Sequence, residues 1–143
     1  MRISDVLRAK GDQVVTIGPD ATVRELVDLL AEHNIGAVVV ASDPTEVQGI
    51  VSERDVVRGL AAGAEVLDRA VESIMTAEVL TCEPNEPIDS LMSLMTNRRI
   101  RHVPVTIEGR LAGIISIGDV VKSRIGELEF ERDQLSGYVS QAQ

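Results

Sequence analysis

A serine followed three residues later by an aspartate occurs twice, each time between an apolar run and a pair of valines. The two stretches read GIVSERDVV (49–57) and GIISIGDVV (113–121). A carboxylate can accept two hydrogen bonds, which suits the neighbouring hydroxyls of a sugar, and a helix N-terminus offers unpaired N–H groups to a phosphate. The same spacing also makes a capping box, and a duplicated cap would repeat as well. The residues allow either a nucleotide-type site or two plain helix caps.

Both stretches belong to a long internal repeat. Shifted by 65 residues, VTIGPDATVRELVDLLAEHNIGAVVV (15–40) aligns with LTCEPNEPIDSLMSLMTNRRIRHVPV (80–105). One residue is then lost, and GIVSERDVVR (49–58) aligns with GIISIGDVVK (113–122). Thirteen of these 36 positions are identical. A period this long indicates two copies of one supersecondary unit and not a solenoid.

Each copy predicts the order strand, helix, strand, strand, helix. The first strand is expected at about 14–17 and 79–82, and two apolar runs then predict a hairpin, with the last helix starting at the repeated serine. Short helical leads, ISDVL (3–7) and VESIM (71–75), precede the copies. The middle helix of each copy buries one apolar face, formed by Val23, Leu26, Val27 and Leu30 or by Ile88, Leu91, Met92 and Met95.

These elements predict how the chain is divided. The first repeat with its lead takes residues 1–64, and the second repeat with its lead takes 65–126. The remainder, 127–143, continues an apolar pattern near a seven-residue spacing that is too short for an independent coiled coil. We expect a C-terminal helix that docks on its own module or on a second subunit.

Composition and charge exclude several classes of protein. The 143 residues carry a formal charge of −9, whereas a nucleic-acid surface needs a basic footprint. No apolar run approaches the roughly 20 residues that span a bilayer, and the start MRISDVLRAKG lacks a signal-peptide core. The single cysteine, Cys82, cannot form an internal disulfide. We therefore expect a cytoplasmic protein that binds neither nucleic acid nor membrane.

The ordered motifs resemble the CBS domain family, named after cystathionine beta-synthase, in its stand-alone bacterial signal-transduction form with two domains. The marks are VESIMT (71–76), IRHVPV (100–105) and GIISIGDVV (113–121), each with a counterpart in the first copy. The resemblance extends from Ile3 to about Ile125. It implies an α/β (α+β) fold of two βαββα repeats packed with pseudo-twofold symmetry, plus the C-terminal helix. It also implies a cleft for each copy, occupied in many members by an adenosine-containing ligand, and homodimerisation.

The resemblance assigns site residues to both copies. In the family the motif aspartate holds ribose hydroxyls and the serine meets ribose or phosphate, which implies these roles for Asp55 and Asp119 and for Ser52 and Ser116. Thr16 and Thr81 lie near the same clefts, although a threonine at a strand end often only forms a turn. The strand that lines each cleft supplies core residues that can also contact adenine, and the candidates are Ile35, Gly36, Ala37, Val38, Ile100, Arg101, His102, Val103 and Pro104.

Positive charge is concentrated in NRRIRH (97–102) of this acidic chain. Arg98 and Arg99 complement the dipole of the preceding helix. Arg101 lies in the strand beyond, so a ligand phosphate is a reasonable partner for it. Arg54, which stands where the second copy has Gly118, is another phosphate candidate. Because the first copy has EHNIGA here, the clefts should differ, with Arg101 and His102 making the surroundings of the second copy more positive.

The primary hypothesis is a non-catalytic sensor that binds AMP, ADP, ATP or NAD(H) and regulates an unidentified protein by changing shape. S-adenosylmethionine fits less well if the arginines face a phosphate. The sequence has no P-loop, GxGxxG or catalytic triad, and its histidines lack metal-site spacing, so no enzymatic activity, required cofactor or metal is expected. The alternative is a structural homodimerisation module without a physiological ligand. A regulatory insert of an enzyme such as IMP dehydrogenase is disfavoured because the chain begins and ends close to the repeats.

Overall fold

The first copy forms a three-stranded sheet with two helices. The computed structural model describes residues 1–11, 14–43 and 46–142. The middle strand pairs in parallel with the first strand and antiparallel with the third. The elements follow the expected order, which is β1 (Thr16–Ile17), α2 (Val23–His33), β2 (Ala37–Val40), β3 (Gly49–Ser52) and α3 (Glu53–Ala62).

The second copy repeats this plan without a regular first strand. Its elements are α4 (Ile88–Arg98), the antiparallel hairpin of β4 (His102–Ile107) and β5 (Arg110–Ser116), and α5 (Ile117–Ala142). The strand expected at 79–82 is reduced to Cys82, which forms a single parallel bridge.

Pro104 explains the missing strand. The backbone N–H of Cys82 donates to the carbonyl of Pro104, at 3.0 Å, and the carbonyl of Cys82 accepts from the N–H of Thr106, at 2.8 Å. The next bond of a parallel ladder would need the N–H of residue 104 as donor. Proline has none, so the ladder cannot extend toward Leu80.

Each lead packs on the copy that it does not precede in the sequence. α1 (Ile3–Lys10) buries Ile3 and Val6 in the core of the second copy, whereas Val66 and Val71 join the core of the first. Backbone hydrogen bonds from Ile3 to Glu86 and from Val71 to Ala21 fix this exchange. The units 1–64 and 65–126 therefore each contain the lead that stabilises the other.

The second lead is shorter than predicted. It forms only a 3-10 turn over Val71–Ser73 and not a helix over 71–75. Thr76 already exchanges two backbone hydrogen bonds with Ile50 of β3, at 2.9 and 3.0 Å. The chain therefore leaves helical geometry before a second turn can form.

Helix burial follows the predicted faces with one exception. In α2, Val23, Leu26 and Leu30 are buried, but Val27 is 38% exposed. In α4, Ile88, Leu91 and Met95 are buried and Met92 packs partly against them. The core consists of aliphatic side chains with Met95 and Cys82, in keeping with a chain that has one Phe, one Tyr and no Trp.

The C-terminal helix α5 continues without a break through position 126, where the repeat was expected to end. It carries both aromatic residues of the chain, Phe130 and Tyr138, which are 65% and 70% exposed. The other exposed apolar residues of this helix are Ile117, Val121, Ile125, Leu128, Leu135 and Val139. None of the helices in the described part of the chain has the length and apolar character needed to cross a membrane.

Candidate functional site

A cleft of about 310 Å³ opens at the N-terminal turn of α3. Its walls come from the first copy, from the connecting segment 76–80 and from the α4–β4 junction of the second copy. The cleft therefore lies between the two copies. The lining residues are Gly36, Ala37, Ile50, Ser52, Glu53, Arg54, Asp55, Arg58, Thr76, Glu78, Val79, Leu80, Arg99, Ile100, Arg101 and His102.

Equivalent backbone contacts place the cleft walls of both copies. Ala37 pairs with Ser52 across β2 and β3, and the N–H of Glu53 donates to the carbonyl of Gly36 at 2.9 Å. In the second copy the N–H of Ile117 donates to Arg101 at 2.8 Å. These bonds hold the start of α3 against the start of β2, and the start of α5 against the start of β4.

Asp55 caps α3 while keeping one carboxylate oxygen available. Its Oδ2 accepts the Ser52 N–H at 2.9 Å and the Ser52 hydroxyl at 3.1 Å. The Ser52 hydroxyl oxygen in turn accepts the N–H of Asp55 at 3.4 Å. No residue of the described chain donates to Oδ1 of Asp55. The capping box and a sugar-binding role are therefore compatible in this one carboxylate.

The cleft is more positive than the protein around it. Four arginines and three carboxylates line it, in a chain of formal charge −9. Arg54 and Arg58 lie one turn apart on α3, while Arg99 and Arg101 come from the second copy. Cationic side chains from two directions favour an anionic group between them.

His102 lies at the same wall and is uncharged near neutral pH. Burial lowers the pKa of its imidazole, Lys10 and Arg101 lower it further, and Asp119 and Glu53 act in the opposite direction. The net direction is downward. A neutral imidazole has one donor and one acceptor nitrogen, so it can hydrogen-bond a ligand without adding charge.

The second motif differs from the first because its aspartate is paired with a lysine. Asp119 Oδ2 accepts the Ser116 N–H at 2.9 Å, and the hydroxyl oxygen of Ser116 accepts the N–H of Asp119 at 3.1 Å. Lys10 then donates to the same Oδ2 at 2.7 Å and to the carbonyl of Ile114 at 2.7 Å. Burial raises the pKa of the Asp119 carboxyl, but the hydrogen bonds from Lys10 and Ser116 outweigh this and lower it.

The structure brings half of the sixteen candidate residues together in the cleft. These are Gly36, Ala37, Ser52, Arg54, Asp55, Ile100, Arg101 and His102. Arg101 and His102 were expected to make the second copy's surroundings more positive, but they line the cleft that contains Asp55. The reason is that the two copies face each other, so that the start of β4 lies across the cleft from the start of α3.

The other eight candidates lie outside this cleft. Val38, Val103 and Pro104 are buried, and Ile35 packs against the first core. Thr16 is half-buried in β1, whereas Thr81 is exposed and outside any strand. Ser116 and Asp119 form the separate second motif.

Sequence reasoning missed the other half of the lining. Arg58 carries a usable signal, because it follows Arg54 by four positions on the same helix face. Lys10 has no such signal, since its contact with Asp119 spans 109 positions. The remaining missed residues are Ile50, Glu53, Thr76, Glu78, Val79, Leu80 and Arg99.

Metal-ligating side chains do not cluster in this structure. Among residues 1–11, 14–43 and 46–142, no group of three or more His, Cys, Asp or Glu side chains could hold a metal ion.

Two facing copies of one repeat unit, which share a ligand-sized cleft, define a tandem-repeat module. The chain belongs to the CBS domain family, whose model matches residues 3–62 and 71–126. Pairs of this type are regulatory modules. The two matched segments correspond to the two copies of the internal repeat.

Relatives and solved structures agree with this assignment. The mitochondrial CBS domain-containing protein CBSX3 of Arabidopsis thaliana is 37% identical over 147 residues, which covers 96% of this chain and 71% of that protein. The crystal structure of ATU1752 from Agrobacterium tumefaciens is 50% identical, with a TM-score of 0.83 over 87% of this chain and 99% of that one. The CBS domain pair of MJ0100, in complex with 5′-methylthioadenosine and S-adenosyl-L-methionine, is 25% identical, with a TM-score of 0.79 over 89% and 98%.

Proposed function

We propose that this chain is a non-catalytic, cytoplasmic regulatory module that binds a phosphorylated adenosine ligand in the cleft beside Asp55. The observation that carries the proposal is the Asp55 carboxylate, which has one oxygen without a partner in the described chain and lies at a helix N-terminus among four arginines. A volume of about 310 Å³ is within the range of small-molecule sites. The 5′-methylthioadenosine and S-adenosyl-L-methionine bound to the MJ0100 pair support the adenosine part of this ligand, and the arginines support the phosphate.

Each part of the ligand has suitable residues in this cleft. The ribose hydroxyls donate to Oδ1 of Asp55, and Ser52 orients that carboxylate. Phosphate lies between Arg54 or Arg58 of α3 and Arg101 of the second copy. Adenine packs between the apolar side chains of the β3 end, the connecting segment and the β4 start, which include Ile50, Val79, Leu80 and Ile100. This arrangement favours AMP, ADP, ATP or NAD(H) over S-adenosylmethionine, which has no phosphate.

Replacing Asp55 separates binding from helix capping. Asp55→Ala removes a cap and the sugar acceptor, whereas Glu25→Ala removes the equivalent cap of α2, where Glu25 accepts the Thr22 N–H far from the cleft. Each should cost about 1 kcal/mol of stability. Calorimetry with the six ligands AMP, ADP, ATP, NAD, NADH and S-adenosylmethionine should show binding lost only in Asp55→Ala. Equal binding by both variants, or no binding by the wild type, contradicts the proposal.

Arginine substitution tests the phosphate. Arg58→Ala should weaken ADP binding by roughly 10-fold, the weight of one charge-assisted hydrogen bond, and leave adenosine binding unchanged. The control is Arg24→Ala, because Arg24 pairs with Asp68 at 3.3 Å on the outside of the first copy. If Arg58→Ala weakens adenosine and ADP equally, the arginine does not face a phosphate.

We also propose that the chain forms a homodimer through the exposed apolar face of α5. The observation that favours it is the exposure of Phe130, Leu135 and Tyr138, which are 65%, 66% and 70% accessible on one helix. Aromatic side chains of this kind are enriched in protein interfaces. Light scattering should report a dimer for the wild type and a monomer for Leu135→Glu. A dimer that persists in this variant contradicts an α5 interface.

A further inference from the structure

The side chain of Lys10 binds the aspartate of the second Ser-x-x-Asp motif. Its ammonium group donates to Oδ2 of Asp119 and to the carbonyl of Ile114, both at 2.7 Å. The Lys10 and Asp119 side chains are only 33% and 25% exposed. The ammonium therefore lies directly against this carboxylate, on the oxygen that also accepts the Ser116 N–H, and neutralises the charge that ligand hydroxyls would otherwise meet.

Lys10 has a counterpart of opposite charge in the first copy. An added Cβ at Gly113 would meet Leu7 of α1 at 2.6 Å, and an added Cβ at Gly49 would meet Met75 at 2.6 Å. Leu7 and Met75 are thus equivalent, and the residue three positions after each is Lys10 or Glu78. The exchange of leads places each of them at the motif of the opposite repeat.

The cationic Lys10 and the acidic Glu78 give the two motif aspartates different surroundings. Glu78 lines the same cleft as Asp55 and is not a hydrogen-bond donor in its ionised form. Within the described residues no cation pairs with Asp55, whereas Asp119 is paired with Lys10. α1 cannot easily move away, because Ile3 and Val6 anchor it in the core of the second copy.

We propose that Lys10 substitutes for the ligand at Asp119, so that each chain takes one nucleotide, in the Asp55 cleft, and that removal of Lys10 opens a second site. This inference rests on the proposed function of the Asp55 cleft. A neutral hydroxyl pair that displaced the ammonium would leave Lys10 without its carboxylate. This competition should weaken nucleotide binding at Asp119 by roughly 10- to 100-fold, the weight of a hydrogen bond between charged groups.

Stoichiometry measured by calorimetry with ADP tests the inference on the full chain. The wild type should bind one ADP and Lys10→Met two. Arg8→Met is the matched control, since Arg8 lies on the same helix and pairs with exposed Asp5 at 3.7 Å. It should still bind one. The double variant Lys10→Met/Asp119→Asn should return to one, which shows that the new site depends on Asp119.

The outcomes separate this inference from the proposed function. Two sites in the wild type, or one site in both Lys10→Met and Lys10→Gln, overturn the inference. If the wild type binds no ADP but Lys10→Met binds one through Asp119, the proposal for the Asp55 cleft fails, whereas the competition between Lys10 and a ligand at Asp119 is supported. If no variant binds ADP while thermal unfolding shows that all are folded, both fail.

Discussion

Replacing Gly49 with alanine tests whether the close approach of β3 and the connecting segment determines the stability of the first copy. The new Cβ would lie 2.6 Å from Sδ of Met75 and 2.8 Å from the backbone oxygen of Thr76. The Met75 side chain can rotate away. The Thr76 carbonyl cannot, because it accepts the N–H of Ile50 at 3.0 Å and its own N–H donates back to Ile50 at 2.9 Å. The substitution must therefore displace backbone.

The size of the effect follows from opposing contributions. Overpacking of this kind costs about 1–3 kcal/mol, and weakening one hydrogen bond adds about 1 kcal/mol. Restricting the unfolded chain returns about 0.4–1 kcal/mol. Gly49→Ala should therefore lower the free energy of unfolding by about 1–3.5 kcal/mol, and the melting temperature by about 3–4 °C for each kcal/mol.

The equivalent glycine of the second copy is the matched control. An added Cβ at Gly113 would meet Cδ2 of Leu7 at 2.6 Å, and the other two nearest atoms, both also of Leu7, lie at 3.6 Å or beyond. A leucine side chain can change rotamer, so Gly113→Ala should stay within about 1 kcal/mol of the wild type. Urea unfolding of both variants, followed by circular dichroism, measures the difference. Equal losses at the two glycines would refute the argument that the fixed Thr76 carbonyl sets the cost.

Two further predictions concern titratable groups. In the folded protein the pKa of Asp119 lies below its unfolded value of about 3.9. The contribution of this carboxylate to stability is therefore complete above that pH and is lost as the pH falls through the folded pKa. On acidification from pH 6 to 2.5, urea unfolding should show a larger loss of stability in the wild type than in Lys10→Met, and identical curves would contradict this. Burial, and to a smaller extent Glu86, raises the pKa of the Cys82 thiol to about 12. At pH 8 a thiol reagent should therefore modify Cys82 in the folded protein at least roughly 100-fold more slowly than in the urea-unfolded chain. Rapid modification of the folded protein would show that Cys82 is accessible.

The repeat predicted the order of elements because apolar spacing along one segment is local information. The middle helices, the hairpins and the serine-started helices all lie where their own residues indicate. Prediction failed where a neighbouring segment decides the structure. The strand at 79–82 has strand-like residues, but its partner offers Pro104, which cannot donate to the ladder. The second lead has a helical pattern, but Thr76 is already paired with Ile50.

Local information also explains which part of the cleft was found. Ser52, Arg54 and Asp55 lie in one motif, and Ile100, Arg101 and His102 in another. The connecting segment was missed because its packing partner is the first copy, whereas its sequence position suggests the second. The same exchange of leads brings Lys10 to Asp119, and no spacing rule within one copy can show it.

The position of the cleft gives a physical route from binding to regulation. Arg54 of the first copy and Arg101 of the second line one space, and like charges there favour separation of the copies. A phosphate between them would replace this repulsion with attraction from both sides, whereas adenosine alone would leave it. A ligand shifts a conformational equilibrium only through a difference in its affinity for the states. In the proposed binding mode the phosphate contacts both copies, so it supplies the difference in affinity between the two states. The contact between the ribose and Asp55 involves one copy and adds affinity in both states.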